Sequence, residues 1–216
     1  MNKTYAVFGL GRYGMAVAEE LAAHGLDVLA VDRNQDIVNM AAMSIPFCKC
    51  ADVTEPEVIR QLDVGKIDVV IIAMAASFES SVMATMLCKE VGVKTIIVKC
   101  ASEMHKKILL RTGADKVVFP ENESGIRLAK NLMSSGFVDI IELTKGVSMV
   151  ELDVKSEWTG KNLIELRLRE KLGINVVAIK KGGQILTNID PLEPLDADTK
   201  LIVIANNSKL GKLKTK

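Results

Sequence analysis

The 216-residue chain reads as an α/β protein: a Rossmann-like doubly wound parallel sheet over residues 1–138, then a small α+β lobe over 139–216. Three observations predict this. Short β-branched runs alternate with helical patterns through the first 120 residues. A glycine-rich turn joins the first such run to the first helix. After "FPENESG" the rhythm changes to hairpin-like strands. Alternation of this kind builds a parallel sheet covered on both faces, which is why its strands are apolar almost throughout.

In chain order the predicted buried strands are "YAVFGL" (Tyr5–Leu10), "VLAVD" (Val28–Asp32), "VVIIAM" (Val69–Met74), "TIIVK" (Thr95–Lys99) and "KVVF" (Lys116–Phe119). "PFCKC" is a weaker strand that suits a sheet edge, giving about six strands. Helices are expected over Tyr13–His24, Glu55–Leu62, Phe78–Val91 and Met104–Thr112, three of them stopped by Gly25, Gly92 and Gly113. Ser124–Ser135 reads as one more helix. Beyond it, "VSMVELDV" and "KLIVIA" are strands, and "NVVAIKKGGQILT" is a hairpin about Gly182–Gly183. "NLIELRLREKLG" has a helical first half, and the basic tail "SKLGKLKTK" reads as a solvated end.

The totals narrow the function. A net charge of +1 supplies no field for nucleic acid, so no nucleic-acid partner is expected. No apolar run approaches the roughly 18 residues of a membrane span. "MNKTYAVFGL" enters a strand without the apolar stretch of a signal peptide, which predicts a cytoplasmic chain. Cys48, Cys50, Cys88 and Cys100 lack the companions that would complete a four-ligand metal set and read as small apolar residues.

Gly9, Gly11 and Gly14 form G-x-G-x-x-G between a strand and a helix. Asp32 closes the next strand, 23 positions beyond Gly9 against roughly 20 in the dinucleotide fingerprint. Gly9 allows the turn, Gly11 lets phosphate approach the backbone, and Gly14 lets the helix pack on the strand. The helix N-terminus offers N–H groups to an anion, and Asp32 can accept from ribose hydroxyls. Arg12, inside the loop, is either an exposed loop residue or a phosphate ligand. Arg33 stacks on an adenine edge or faces solvent. Asp52 and Val53 of "CADVT" flank an adenine in this fold, and Lys99 and Glu121 follow strands on the ligand side. Leu10, Tyr13, Ala73, Met74 and Ala75 complete the expected nucleotide set. A dehydrogenase would also need an acid or base beside the nicotinamide. His24 ends a helix away from the strand carboxyl ends, and His105 lies among cations in "EMHKK". An NAD-dependent oxidoreductase stays as the alternative; a nucleotide-binding transcription factor would need a basic recognition helix that is not evident.

The segments "YAVFGLGRYG", "DVLAVDRN", "VVIIAMAASFESSVMATMLCKEVGV", "TIIVKCAS", "LLRTGADKVVFPE" and "LGINVVAIKKGG" together resemble the RCK proteins of the TrkA/KtrA type, cytosolic regulators of bacterial potassium transport. The similarity covers nearly the whole chain, with one nucleotide lobe and one TrkA-C lobe as in the KtrA/KtrC branch. The resemblance implies a homodimer assembling into an octameric ring beneath a membrane potassium channel or transporter. ATP or ADP, alternatively NAD(H), would bind the first lobe and change the ring's shape. It implies that Arg12 contacts the terminal phosphate across the dimer and that Glu121 is a ligand for a magnesium or sodium ion between phosphates. The helix Ser124–Ser135 would cross between subunits through Ile126, Leu128, Ala129, Leu132 and Met133. In the second lobe Ile164, Arg169, Asn175, Val176 and Pro191 would line a cyclic di-AMP site, where Glu170 brings an extra negative charge beside Arg169.

Overall fold

The computed structural model describes residues 3–74, 77–133, 137–144 and 146–210, and within 130–142 the side chains of only Leu132 and Ile141. The chain divides into two compact units, Met1–Glu121 and Asn122–Lys216.

The first unit alternates strand and helix as its sequence demands. β1 (Thr4–Phe8), α1 (Arg12–Ala23), β2 (Asp27–Asp32), α2 (Gln35–Ala41), β3 (Phe47–Cys50) and α3 (Pro56–Gln61) build one half. β4 (Val69–Ile72), α4 (Phe78–Glu90), β5 (Thr95–Lys99), α5 (Glu103–Thr112) and β6 (Lys116–Val118) build the other. Every strand pair is parallel and the order is β3-β2-β1-β4-β5-β6, with "PFCKC" at an edge. This order reverses between β1 and β4, which opens a crevice at the strands' carboxyl ends.

Side-chain alternation explains the apolar strands. Ala6 and Phe8 of β1 enter one core with Val31, Ile72 and Ile96, while Val7 enters the other with Val28, Ala30 and Ile71. Each face thus needs its own apolar set, and β4 is buried at all four positions. α1 covers the second face with Ala18, Val17 and Leu21.

Helix starts are set by caps. The Asn34 side chain accepts from Asp36 N and Ile37 N, Ser77 from Ser80 N, and Ser102 from His105 N. α2 is absent from the sequence-based reading. It is seven residues long and buries only Val38 and Ala41, too little for a visible period.

α6 (Pro120–Met133) opens at the unit boundary, four residues before the expected Ser124, so Glu121 lies in a helical first turn; Ser134 and Ser135 lie outside the described residues. The second unit continues with β7 (Phe137–Thr144), β8 (Val147–Asp153), α7 (Leu163–Leu166), α8 (Leu168–Leu172), β9 (Ile174–Lys181), β10 (Gln184–Leu186), β11 (Lys200–Asn206) and α9 (Asn207–Leu210). Its antiparallel sheet runs β10-β9-β11-β8-β7. Val150, Leu152, Leu201 and Val203 pack with Trp158, Leu166 and Leu168 into one core.

Three expectations for this unit change. β7 adds a strand that was not assigned. Both halves of "NLIELRLREKLG" are helical, split where Arg167 takes φ 47° and ψ 45° and ended by Gly173 at φ 69°. The basic tail is not solvated from its start, because Leu210 is buried in the core; residues 211–216 lie outside the described set.

Candidate functional site

The glycine loop carries three different steric demands. Gly9 has φ 87°, a region that side-chain-bearing residues seldom occupy, and a Cβ there would lie 2.6 Å from Met74 Cγ. A Cβ on Gly14 would lie 1.9 Å from the Gly9 carbonyl oxygen, so α1 can sit this close to the loop only without one. Gly11 is the opposite case: φ is −65° and a Cβ would meet nothing within 4 Å. The first and third glycines are required by packing. The second leaves open space at the head of α1, and no side chain caps that helix, whereas Asn34, Ser77 and Ser102 cap α2, α4 and α5. Uncapped helical N–H groups beside open space are the arrangement that takes a phosphate.

Asp32 is oriented by the backbone. Its Oδ2 accepts from Leu10 N at 2.7 Å and its Oδ1 from Asn34 N at 2.9 Å. The carboxylate bridges loop and strand end, with lone pairs to spare for hydroxyl donors. Across from it, Asp52 Oδ1 accepts from Thr54 N at 3.0 Å and Thr54 Oγ1 at 2.7 Å. These bonds, the backbone one foremost, hold the Asp52 carboxyl below its ordinary range, and Arg33 adds to the effect against a small opposing burial.

A cavity of about 140 Å³ lies between these groups. One wall is Val31, Asp32, Arg33, Ala51, Asp52 and Val53, from the ends of β2 and β3. The other is Gly9, Met74, Ser77 and Ser80. Gly9, Asp32, Arg33, Asp52, Val53 and Met74 are therefore brought together around one cavity. Ser77 and Ser80 were missed, since a serine at a helix start signals a cap; both hydroxyls also meet each other at 2.7 Å. Ala73 packs beneath the loop rather than lining the cavity, its Cβ 3.1 Å from where a Gly14 Cβ would stand. Ala75 lies outside the described residues.

Leu10 is buried and contributes its N–H. Arg12 is exposed and forms no ion pair or hydrogen bond among the described residues. Lys99 does not line the cavity; its Nζ meets Glu121 Oε1 at 2.5 Å and lies 5.6 Å from the centroid of the Tyr13 ring. The Lys99 hydrogen bond, foremost, holds the Glu121 carboxyl below its usual range. No three His, Cys, Asp or Glu side chains converge as a metal set among the described residues, so a cation at Glu121 would draw its other ligands from phosphate or a second subunit. His24 Nδ1 contacts the Glu20 carbonyl at 2.8 Å, and His105 stacks on Phe78 with centroids 3.9 Å apart. Neither imidazole lines the cavity. Cys88 is buried and its thiol is pushed up to about 12 by that burial, and Cys50 is exposed with Sγ directed at the Arg33 carbonyl.

The second unit carries a hollow of about 550 Å³ between α7, α8 and β9. Ile164, Arg169, Asn175 and Val176 line it, with Leu163, Arg167, Leu168, Glu170 and Ile174. Pro191 does not. It is exposed in the 187–199 loop, which follows β10 rather than the α8–β9 junction. Glu170 pairs with Arg167 at 3.7 Å, so the Arg169 guanidinium is left without an ion pair among the described residues.

Fold and cleft define a nucleotide-type α/β unit joined to a small α+β lobe. Two domain families match in that order: TrkA-N over residues 5–120 and TrkA-C over 147–216. Ktr system potassium uptake protein C of Bacillus subtilis is 35% identical over 98% of this chain and 96% of its own length. Ktr system potassium uptake protein A of Vibrio alginolyticus is 36% identical over 99% and 98%. The chain belongs to this family of Ktr potassium uptake proteins. Among solved structures, the RCK domain of GsuK superposes with a TM-score of 0.68 over 99% of this chain and 47% of that one, at 18% identity, a likeness of fold. No helix among the described residues is long and apolar enough to cross a membrane.

Proposed function

We propose that this chain is a non-catalytic, cytoplasmic regulatory subunit of a potassium uptake system, switched by an adenine nucleotide in the cleft of its first unit. The observation that carries the reading is the pairing of an uncapped, sterically open Gly11 with an Asp32 carboxylate held by Leu10 N and Asn34 N. Phosphate at the first and ribose at the second satisfy both. Adenine then lies against Val53 and Asp52, with Arg33 at its edge.

The ligand is ATP or ADP, with NAD(H) as the competing occupant, since Asp32 serves any adenosine ribose. Arg12, exposed and without an ion pair among the described residues, reads the terminal phosphate of a partner subunit's nucleotide through charge-assisted hydrogen bonds. Glu121 contributes to a magnesium or sodium ion between phosphates. A ligand shifts an equilibrium only through different affinity for its states, and the extra phosphate supplies that difference. The first domain extends to residue 138, so that α6 crosses to a second subunit within a homodimer. Four such dimers form the ring that docks on a membrane potassium channel or transporter. The exposure of Ile126, Leu128 and Leu132 supports the crossing; the side chain of Met133 lies outside the described set. The hollow of the second unit takes cyclic di-AMP, a reading supported by the convergence of Ile164, Arg169, Asn175 and Val176 there.

A hydride-transfer enzyme is the second reading, and it lacks an imidazole in the cleft. Calorimetric titration of the full chain with ATP, ADP, NADH and cyclic di-AMP separates these ligands. Arg12→Ala weakens ATP binding about tenfold or more, the scale of a lost charge-assisted bond, and ADP binding less. Equal losses would remove the sensing role from Arg12.

A further inference from the structure

Lys99 ends β5 and is 15% exposed at its side chain, while its partner Glu121 is 63% exposed. The same ammonium lies 5.6 Å from the ring of Tyr13, in the first turn of α1 and two residues beyond Gly11. Glu121 is the second residue of α6, whose residues from Asn122 onward belong to the second compact unit. One largely buried amine therefore ties the start of that helix to a strand end beside the glycine loop.

A desolvated ammonium requires a counter-charge. Among the described residues Glu121 is the only carboxylate that Lys99 pairs with. A phosphate arriving at the head of α1 offers a denser negative charge and several acceptor oxygens. Lys99 has the reach to choose between them, because its long side chain already spans from β5 to both Tyr13 and Glu121.

We propose that Glu121 and the phosphate of the bound nucleotide compete for Lys99, so that phosphate binding releases the first turn of α6. The inference rests on the nucleotide reading above and adds its route out of the cleft: phosphate, Lys99, Glu121, helix. The exchange has a thermodynamic signature. If binding must break the ion pair, the strength of the pair is subtracted from the affinity, and removing Glu121 returns it. A carboxylate that only helps to hold the nucleotide or its ion would act in the opposite direction.

The test is calorimetric titration of ATP, as its Tris salt in EDTA and without sodium, into the full wild-type chain and the variants Glu121→Gln and Lys99→Met, with melting temperatures as a folding control. Glu121→Gln binds ATP about three- to five-fold more tightly, the scale of a partly exposed ion pair. Lys99→Met binds it more weakly than wild type. Amide hydrogen exchange adds a second readout: ATP speeds exchange at residues 124–127 in wild type, and Glu121→Gln exchanges fast there without ATP. Wild-type binding that Glu121→Gln leaves unchanged or weakens overturns the competition alone. A wild-type chain that takes no ATP overturns the nucleotide reading and this proposal with it.

Discussion

Gly11 and Gly14 stand three positions apart in one motif, yet alanine has opposite consequences at the two. At Gly14 a Cβ collides with the Gly9 carbonyl at 1.9 Å, and neither partner is a movable side-chain end. Gly14→Ala costs about 3 kcal/mol, as severe overpacking does, and lowers the melting temperature visibly. At Gly11 the backbone is ordinary and the space is open. Gly11→Ala leaves stability within about 1 kcal/mol of the parent, yet its methyl enters the open space proposed for phosphate, and ATP affinity falls about tenfold or more. Thermal melting beside ATP titration separates the two outcomes. A Gly11→Ala chain that binds ATP normally would mean that the loop is a structural turn only. The motif and Asp32 were legible because their spacing is fixed by backbone geometry. Ser77 and Ser80 were not, because nothing local distinguishes a serine that caps a helix from one that also lines a cavity.

Element by element, what could be read depended on how much apolar surface each segment buries. The strands β1, β2, β4 and β5 were legible because both faces of the sheet need apolar side chains. α2 and the split α7–α8 segment were hidden for complementary reasons. α2 buries only Val38 and Ala41, and the break at Arg167 depends on a left-handed conformation that arginine does not advertise. At the amino ends of β1 and β4, Asp68 accepts from Thr4 N at 3.1 Å and from Lys94 Nζ at 2.7 Å. The Lys94 bond first, then the Thr4 N–H, lower its pKa to about 2. A carboxylate lowered in the folded state stabilises above its unfolded value and loses that contribution as pH falls through the folded one. Acid titration of the melting temperature therefore has a component between about 3.8 and about 2 that Asp68→Asn removes. An unchanged acid limb in that variant would show that the bracket does not survive in solution. In the second unit Glu151 is held by Lys180 at 2.9 Å and Lys200 at 3.1 Å across β8, β9 and β11. Burial raises its carboxyl pKa, and the two ammoniums outweigh this and keep it below the usual range.

At the scale of the whole molecule, the sequence carried the order of two lobes, the six parallel strands and the position of the cleft. Pro191, named through the resemblance alone, lies in the 187–199 loop and does not line the hollow between α7, α8 and β9. What unites the levels is the cleft proposed for a nucleotide: an open glycine at the head of α1, a backbone-held carboxylate at the end of β2, and both imidazoles outside its lining. The most direct measurement is calorimetry of ATP binding to the full wild-type chain, with the nucleotide recovered and assayed at the end and a parallel NADH sample followed by absorbance. The account predicts saturable ATP binding at one per chain, ATP recovered intact, and steady NADH absorbance with any small carbonyl compound added. Absence of ATP binding, or steady consumption of NADH, would contradict it.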